Sequence, residues 1–188
     1  MASTGYHTEN RQEKTAFIAI VGRPNVGKSS ILNRLLGQKV AIVSSKPQTT
    51  RTRIMGVLTK ADVQLVFIDT PGMHKPKTQL GNYMVRAVRE SVSGVDACLL
   101  VAQAGKAPAD TELSLVEKFK ALGVPAVLAL NKIDLVKNKE DLMQNIADYS
   151  SLFDFSAIVP ASALHASGMQ ALEDEVKKQA PPGGHLFE

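Results

Sequence analysis

Cysteine is nearly missing from this chain: Cys98 is the only one in 188 residues. An internal disulfide framework is therefore excluded, and the chain suits a reducing compartment. Cys98 falls in the apolar run Ala97 to Ala102, where packing accounts for it better than reactivity does. No apolar stretch approaches the roughly 18 residues that a membrane span needs. The polar N-terminus also lacks the hydrophobic segment of a signal peptide. Internal repeats and low-complexity tracts are missing too. Charge is almost balanced, 22 Lys and Arg against 18 Asp and Glu, for a net +4, which permits a phosphate-rich RNA partner without demanding one. The expectation left standing is a soluble, cytoplasmic protein of one domain, with 44% hydrophobic residues to build a core.

What the chain does have is concentrated between Ala19 and Asn33, AIVGRPNVGKSSILN. Gly22, Gly27, Lys28 and Ser29 match G-x-x-x-x-G-K-[ST], a phosphate-binding loop. A polyphosphate needs several backbone N–H groups aimed at one point, and side chains would crowd that approach. Gly22 and Gly27 have no Cβ and tolerate the positive φ such a loop requires. The loop residues Gly22, Arg23, Pro24, Asn25, Val26 and Gly27 would wrap the phosphates, with Lys28, Ser29 and Ser30 opening a helix whose free N–H groups and dipole face them. Lys28 would reach the β- and γ-phosphates, and Ser29 would ligate Mg²⁺. A chance glycine turn would give this pattern less than roughly once in a hundred chains of this length. The apolar run Thr15 to Val21 supplies the strand that the motif demands upstream.

The rest of the chain falls into alternating elements. Residues 1–14 read as a mobile tail. A helix is expected over Ser29 to Leu36, closed by Gly37 at C′. Lys39 to Val43 is short and apolar, and Ser44 to Thr52 has the polarity of a flexible active-site loop. Arg53 to Thr59 and Val63 to Asp69 form an expected β-hairpin. A helix over Gln79 to Ser93 follows, then a strand over Ala97 to Ala102 and a helix over Asp110 to Leu122. A strand over Pro125 to Leu130, a helix over Asp141 to Tyr149, a strand over Ala157 to Ala161 and a helix over Met169 to Lys178 complete the order. Strands alternating with helices imply an α/β fold, a mainly parallel six-stranded sheet covered on both faces. Pro181, Pro182, Gly183 and Gly184 give the last residues, 181–188, the composition of a linker.

Three further segments carry chemistry. Asp69-Thr70-Pro71-Gly72 ends the third candidate strand, where open α/β sheets place ligands. Its aspartate can hold Mg²⁺, usually through water, and the Gly72 N–H can bond a γ-phosphate. Asn131-Lys132-Ile133-Asp134 follows the apolar run ALAL. The Asp134 carboxylate can accept from the N1–H and exocyclic amine of guanine. Adenine has an acceptor at N1 and no amine at C2, so it would leave the carboxylate buried and unpaired at a penalty of roughly 1 to 3 kcal/mol or more. Ser162-Ala163 follows the last strand, where the Ala163 N–H could meet the guanine carbonyl. Apart from these, D-x-x-G is commonly a turn and an Asn or Asp commonly a helix cap; their order after a phosphate loop and buried strands favours the functional reading.

Together GRPNVGKS, DTPG, NKID and SA resemble the G-protein superfamily. PQTTR at Pro47 to Arg51 makes the resemblance specific to the bacterial Era GTPases, over about residues 15–180. The resemblance implies a Ras-like fold that binds GTP with Mg²⁺ and hydrolyses it slowly to GDP and phosphate. It implies that Thr50, with Thr49 as fallback, ligates Mg²⁺ in a first switch and that Gly72 to Thr78 form a second. Lys46, Arg51, Arg53, Lys60, Lys75 and Lys77 cluster around those switches. Lys28, Thr50, Gly72 and Asn25 are the implied catalytic set, and Ser29, Thr50 and Asp69 the implied metal ligands.

Two departures qualify it. Met73 stands where Ras-type GTPases carry a water-orienting glutamine, and it cannot polarise water. The resemblance points instead to GTPases with a hydrophobic residue there, some of which hold K⁺ beside the phosphates with an asparagine at the place of Asn25. The second departure is length: Era proteins continue into a KH domain that binds small-subunit ribosomal RNA, and its G-x-x-G loop is not in this sequence. The implied role is a monomeric switch in assembly of the small ribosomal subunit and its 16S rRNA, with room for peripheral contact with the cytoplasmic membrane. The rivals are a nucleotide-loaded binding or scaffold module with incidental hydrolysis, one G domain of a tandem-domain ribosome-assembly GTPase, and a P-loop ATPase or kinase.

Overall fold

The computed structural model describes residues 11–37, 53–69 and 94–188. Its framework is a six-stranded sheet: β1 (Lys14–Val21), β2 (Arg53–Lys60), β3 (Val63–Asp69), β4 (Ala97–Gln103), β5 (Ala126–Asn131) and β6 (Ala157–Pro160). The strands lie in the order β2-β3-β1-β4-β5-β6. Only the β2–β3 hairpin is antiparallel; every other neighbouring pair is parallel. The described helices are α1 (Lys28–Leu36), α2 (Asp110–Leu122), α3 (Lys139–Leu152) and α4 (Met169–Lys177), with a 3₁₀ turn over Ile133–Leu135. Among the described residues no helix is long and apolar enough to cross a membrane.

The period-2 alternation of side chains explains why strands this apolar need cover on both faces. Ile18, Ile20, Leu65, Phe67, Leu99 and Val101 face one side, where Ile31 and Leu35 of α1 and Leu172 and Val176 of α4 meet them. Their immediate neighbours Ala19, Val21, Val66, Ile68, Cys98 and Leu100 face the other, against Leu115 and Phe119 of α2 and Tyr149 of α3. Burying a side chain such as Phe67 or Leu99 contributes about 1.5–3 kcal/mol, so the two layers carry most of the fold. Cys98 is 1% exposed, and burial pushes its thiol pKa up to about 12, which removes it from thiolate chemistry. At Gly56 in β2, a Cβ would lie 2.3 Å from Cδ1 of Leu36, so glycine lets α1 sit directly on the edge hairpin.

Two end regions differ from expectation. Helix α3 runs to Leu152 and starts at Lys139 rather than Asp141, where Asn138 enters it in extended conformation and its Nδ2 donates to Oδ2 of Asp141. The closing segment, with the composition of a linker, is instead fastened to the sheet. Pro182 bridges Lys14, the Gly183 N–H donates to the Glu13 carbonyl at 2.9 Å, and Thr15 Oγ1 donates to the Gly184 carbonyl at 2.9 Å. Gln64 of β3, wholly buried, accepts at Oε1 from the Leu186 and Phe187 N–H groups and donates from Nε2 to the Phe187 carbonyl. Glu13 and Lys14, read as the end of a tail, belong to this contact. The expected segments Lys39 to Val43, Ser44 to Thr52 and Gln79 to Ser93 lie outside the described residues, as do Thr49, Thr50, Thr70 to Met73 and residues 1–10.

Candidate functional site

Strand β1 is central, with β3 on one side and β4 on the other, so the strand order reverses around it. The crevice beyond the carboxyl ends of such strands is where open α/β sheets take ligands. The loop Gly22–Gly27 leaves β1 there, Asp69 ends β3 beside it, Asn131 ends β5, and Ala161 and Ser162 follow β6.

The phosphate loop is shaped by what it lacks. Gly22 has φ 149° and a Cβ would fall 2.3 Å from the Val101 carbonyl; Gly27 has φ 94° and a Cβ would fall 2.3 Å from Nδ2 of Asn131. Each position excludes side chains twice, by dihedral and by space. Asn25 also takes a left-handed φ of 65°, which asparagine tolerates better than most residues. The first intrahelical bond runs from the Ile31 N–H to the Gly27 carbonyl, so the N–H groups of Lys28, Ser29 and Ser30 face the loop's concavity without an intrahelical partner. The Lys28 ammonium donates to the Gly22 carbonyl at 2.9 Å. Its pKa is lowered by burial, and the nearby Asp69 carboxylate opposes that shift. Lys28 and Asp69 therefore share one electrostatic environment. Ser29 and Asp69 offer the hard oxygen donors that suit Mg²⁺. Arg23 turns its side chain away from this concavity: Nε donates at 2.7 Å to Glu112 of α2, a carboxylate that is 0% exposed. Only the backbone of Arg23 is left for phosphate.

The base side is built by side chains. Asn131, 2% exposed, donates from Nδ2 to the Val26 carbonyl at 2.9 Å and accepts at Oδ1 from the Ala163 N–H at 3.1 Å. One amide thus ties the phosphate loop, β5 and the segment after β6. The Ala163 N–H is thus held by Asn131. Lys132, at φ 64°, donates from Nζ to the Asn25 carbonyl at 2.7 Å. Asp134 is exposed, not buried as its expected role supposed, and accepts at Oδ1 from Ser162 Oγ at 2.7 Å. That hydrogen bond is the main reason its carboxyl pKa lies below the ordinary value. Ser162 is buried, and its loop is closed by a bridge to Ser167.

A cavity of about 790 Å³ has Gly27 and Ser30 of the phosphate side and Asn131, Lys132, Asp134 and Ala163 of the base side in its walls, whereas Gly22, Asn25, Lys28, Ser29, Asp69 and Ser162 are not among its lining residues. That volume lies in the range of small-molecule sites. Arg34, Leu135 and Leu164 also line it, and sequence reasoning missed all three. No motif marks them: Arg34 looks like an ordinary exposed helix residue, and Leu135 and Leu164 like stray surface apolars at 61% and 70% exposure. Thr50 and Gly72 lie outside the described residues.

Residues 17–132 match the family model of the 50S ribosome-binding GTPases. GTPase Era of Ruminiclostridium cellulolyticum is 45% identical over 174 residues, covering 93% of this chain and 58% of that protein. A crystal structure of Era in complex with MgGDPNP and nucleotides 1506–1542 of 16S ribosomal RNA superposes with a TM-score of 0.77 at 35% identity, covering 94% of this chain and 60% of the other. A variant of Aquifex aeolicus Era bound to GDP·AlF₄⁻ gives 0.76 at 36%, with coverage of 93% and 60%. This chain therefore spans about three-fifths of the length of the Era proteins it matches.

Proposed function

On the premise that the chain belongs to the 50S ribosome-binding GTPases and, among them, to the Era type, we propose that it binds guanine nucleotide with Mg²⁺ and hydrolyses GTP to GDP and phosphate as a molecular switch. The observation that carries this reading is the shared cavity, walled by Gly27 of the phosphate loop and by Asp134 and Ala163 of the base segments. Asp134 is the guanine selector, accepting from N1–H and the exocyclic amine while Ser162 keeps its carboxylate in place. Water attacks the γ-phosphorus in line and the bond to the β–γ bridging oxygen breaks. The backbone N–H groups of the loop and Lys28 stabilise charge growing on the leaving oxygens. Ser29, Asp69 and Thr50 would hold Mg²⁺, which would supply Lewis-acid neutralisation of the phosphates. The Gly72 N–H would bond the γ-phosphate, and Asn25 would help hold K⁺.

The relative solved with a 16S rRNA segment supports a role for the whole protein in small-subunit assembly. Residues 15–180 would be its G domain, with RNA binding chiefly in a KH-type domain joined through 181–188. The reading also keeps a monomer working in the cytoplasm, with peripheral membrane contact as a secondary association.

The test is displacement of a fluorescent GDP by GDP, GTP and ADP, followed by single-turnover phosphate release from GTP in Na⁺ and in K⁺. Displacement by guanine nucleotides alone, with release dependent on Mg²⁺, is expected. Equal displacement by ADP would overturn the guanine assignment. Equal rates in the two salts would remove the K⁺ role of Asn25.

A further inference from the structure

The segment after β6 is irregular apart from the Ser162–Ser167 bridge, yet two of its successive carbonyls are held by one side chain. Arg34 of α1 donates from Nε to the Ala163 carbonyl at 2.7 Å and from Nη2 to the Leu164 carbonyl at 3.0 Å. A guanidinium is a rigid planar fork, so these two bonds set the tilt as well as the distance of two adjacent peptide units. Ala163 is held on its other side too, where the N–H of the preceding peptide unit donates to Asn131. Arg34, Ala163, Leu164 and Asp134 all line the same cavity. Helix α1, which carries Arg34, is also the helix that begins at Lys28 of the phosphate loop.

We propose that Arg34 is a positioning residue for guanine selectivity: it fixes the Ala163–Leu164 backbone at the base end of the cavity from the helix that binds phosphate at its other end. A general brace for the fold would bury its charge or pair it with a carboxylate, as Arg23 does with Glu112. Arg34 is exposed and spends its donors on two neutral carbonyls at the cavity wall. Those carbonyls belong to the loop that also supplies Ser162, the hydroxyl holding Asp134. Selectivity for the base is thereby tied to correct seating of the phosphate-binding helix.

The proposal rests on the guanine reading above. Its test uses the chain with Arg34→Ala and Arg34→Lys, measuring displacement of fluorescent GDP by GDP and by ADP, and thermal unfolding. Loss of a charge-assisted pair of hydrogen bonds should weaken GDP about tenfold in Arg34→Ala. ADP should be unchanged, so that the GDP-to-ADP preference falls by the same factor while the melting temperature holds. Arg34→Lys, a single point donor, should recover about threefold of that loss. An unaltered preference, or an equal loss for both nucleotides, would overturn the positioning role. A wild-type chain that does not prefer GDP to ADP would instead overturn the guanine reading and this proposal with it.

Discussion

The two ends of one sheet are finished by opposite means. At the carboxyl end of β1, β5 and β6 the connecting segments are tied to one another around a cavity of about 790 Å³. At the amino end of β1 and β3, residues 182–187 lie across the strand starts and satisfy Thr15 and the buried Gln64. The first end keeps polar groups available, and the second uses them up. On the guanine reading, hydrogen bonds at the cavity would serve selectivity while those at the closed end serve stability, and substitutions should divide along that line.

The largest effect is expected at Asp134→Asn. The amide offers a donor where guanine presents donors, so GDP affinity should fall by at least about 100-fold. Xanthosine diphosphate, whose C2 carries a carbonyl, should gain. The exposed position leaves the melting temperature unchanged; competition assays and thermal unfolding check both halves. Gly27→Ala should come next, because its Cβ would meet Asn131 in a left-handed conformation. Loss of GDP binding of about tenfold or more, with destabilisation of about 1–3 kcal/mol, would mark it as the one position where the two roles meet. Gln64→Leu at the closed end should cost about 1–3 kcal/mol in denaturant unfolding, since it strips partners from Leu186, Phe187 and Thr59. It should leave nucleotide affinity untouched, and a changed GDP affinity there would break the division.

The smallest effect concerns pH. Ser162 holds the Asp134 carboxyl below its ordinary pKa of 3.8. The charged form is thus favoured, and guanine preference is present above the ordinary value and lost only as pH falls through the lowered one. Ser162→Ala should move the acid limb of the GDP-to-ADP preference upward in pH. An unmoved limb would show that the serine does not govern this carboxylate.

Legibility followed the same division. The strands were readable because an apolar run of five to eight residues between turns has few alternatives, and α2 spans Asp110–Leu122 as its pattern implies. The phosphate loop was readable because phosphate binding excludes side chains at fixed spacing. Asn131, Asp134 and Ser162 stood out because a guanine site would need specific donors and acceptors in chain order. The closed end was not. Pro181 to Gly184 have linker composition, and what fastens them is Thr15 and Gln64, more than 100 residues away in sequence. Arg34 was hidden for the same reason: its partners are backbone carbonyls, which leave no trace in residue identity.

Asn131 has a consequence for how a ligand would arrive. Its amide fastens Val26 and Ala163 within the folded chain itself, so the ordering entropy of three loops is settled during folding rather than at association. Capture of the nucleoside end should then look like entry into a finished mould: a heat-capacity change that reflects desolvated area alone, and amide exchange in these loops already slow before nucleotide is added.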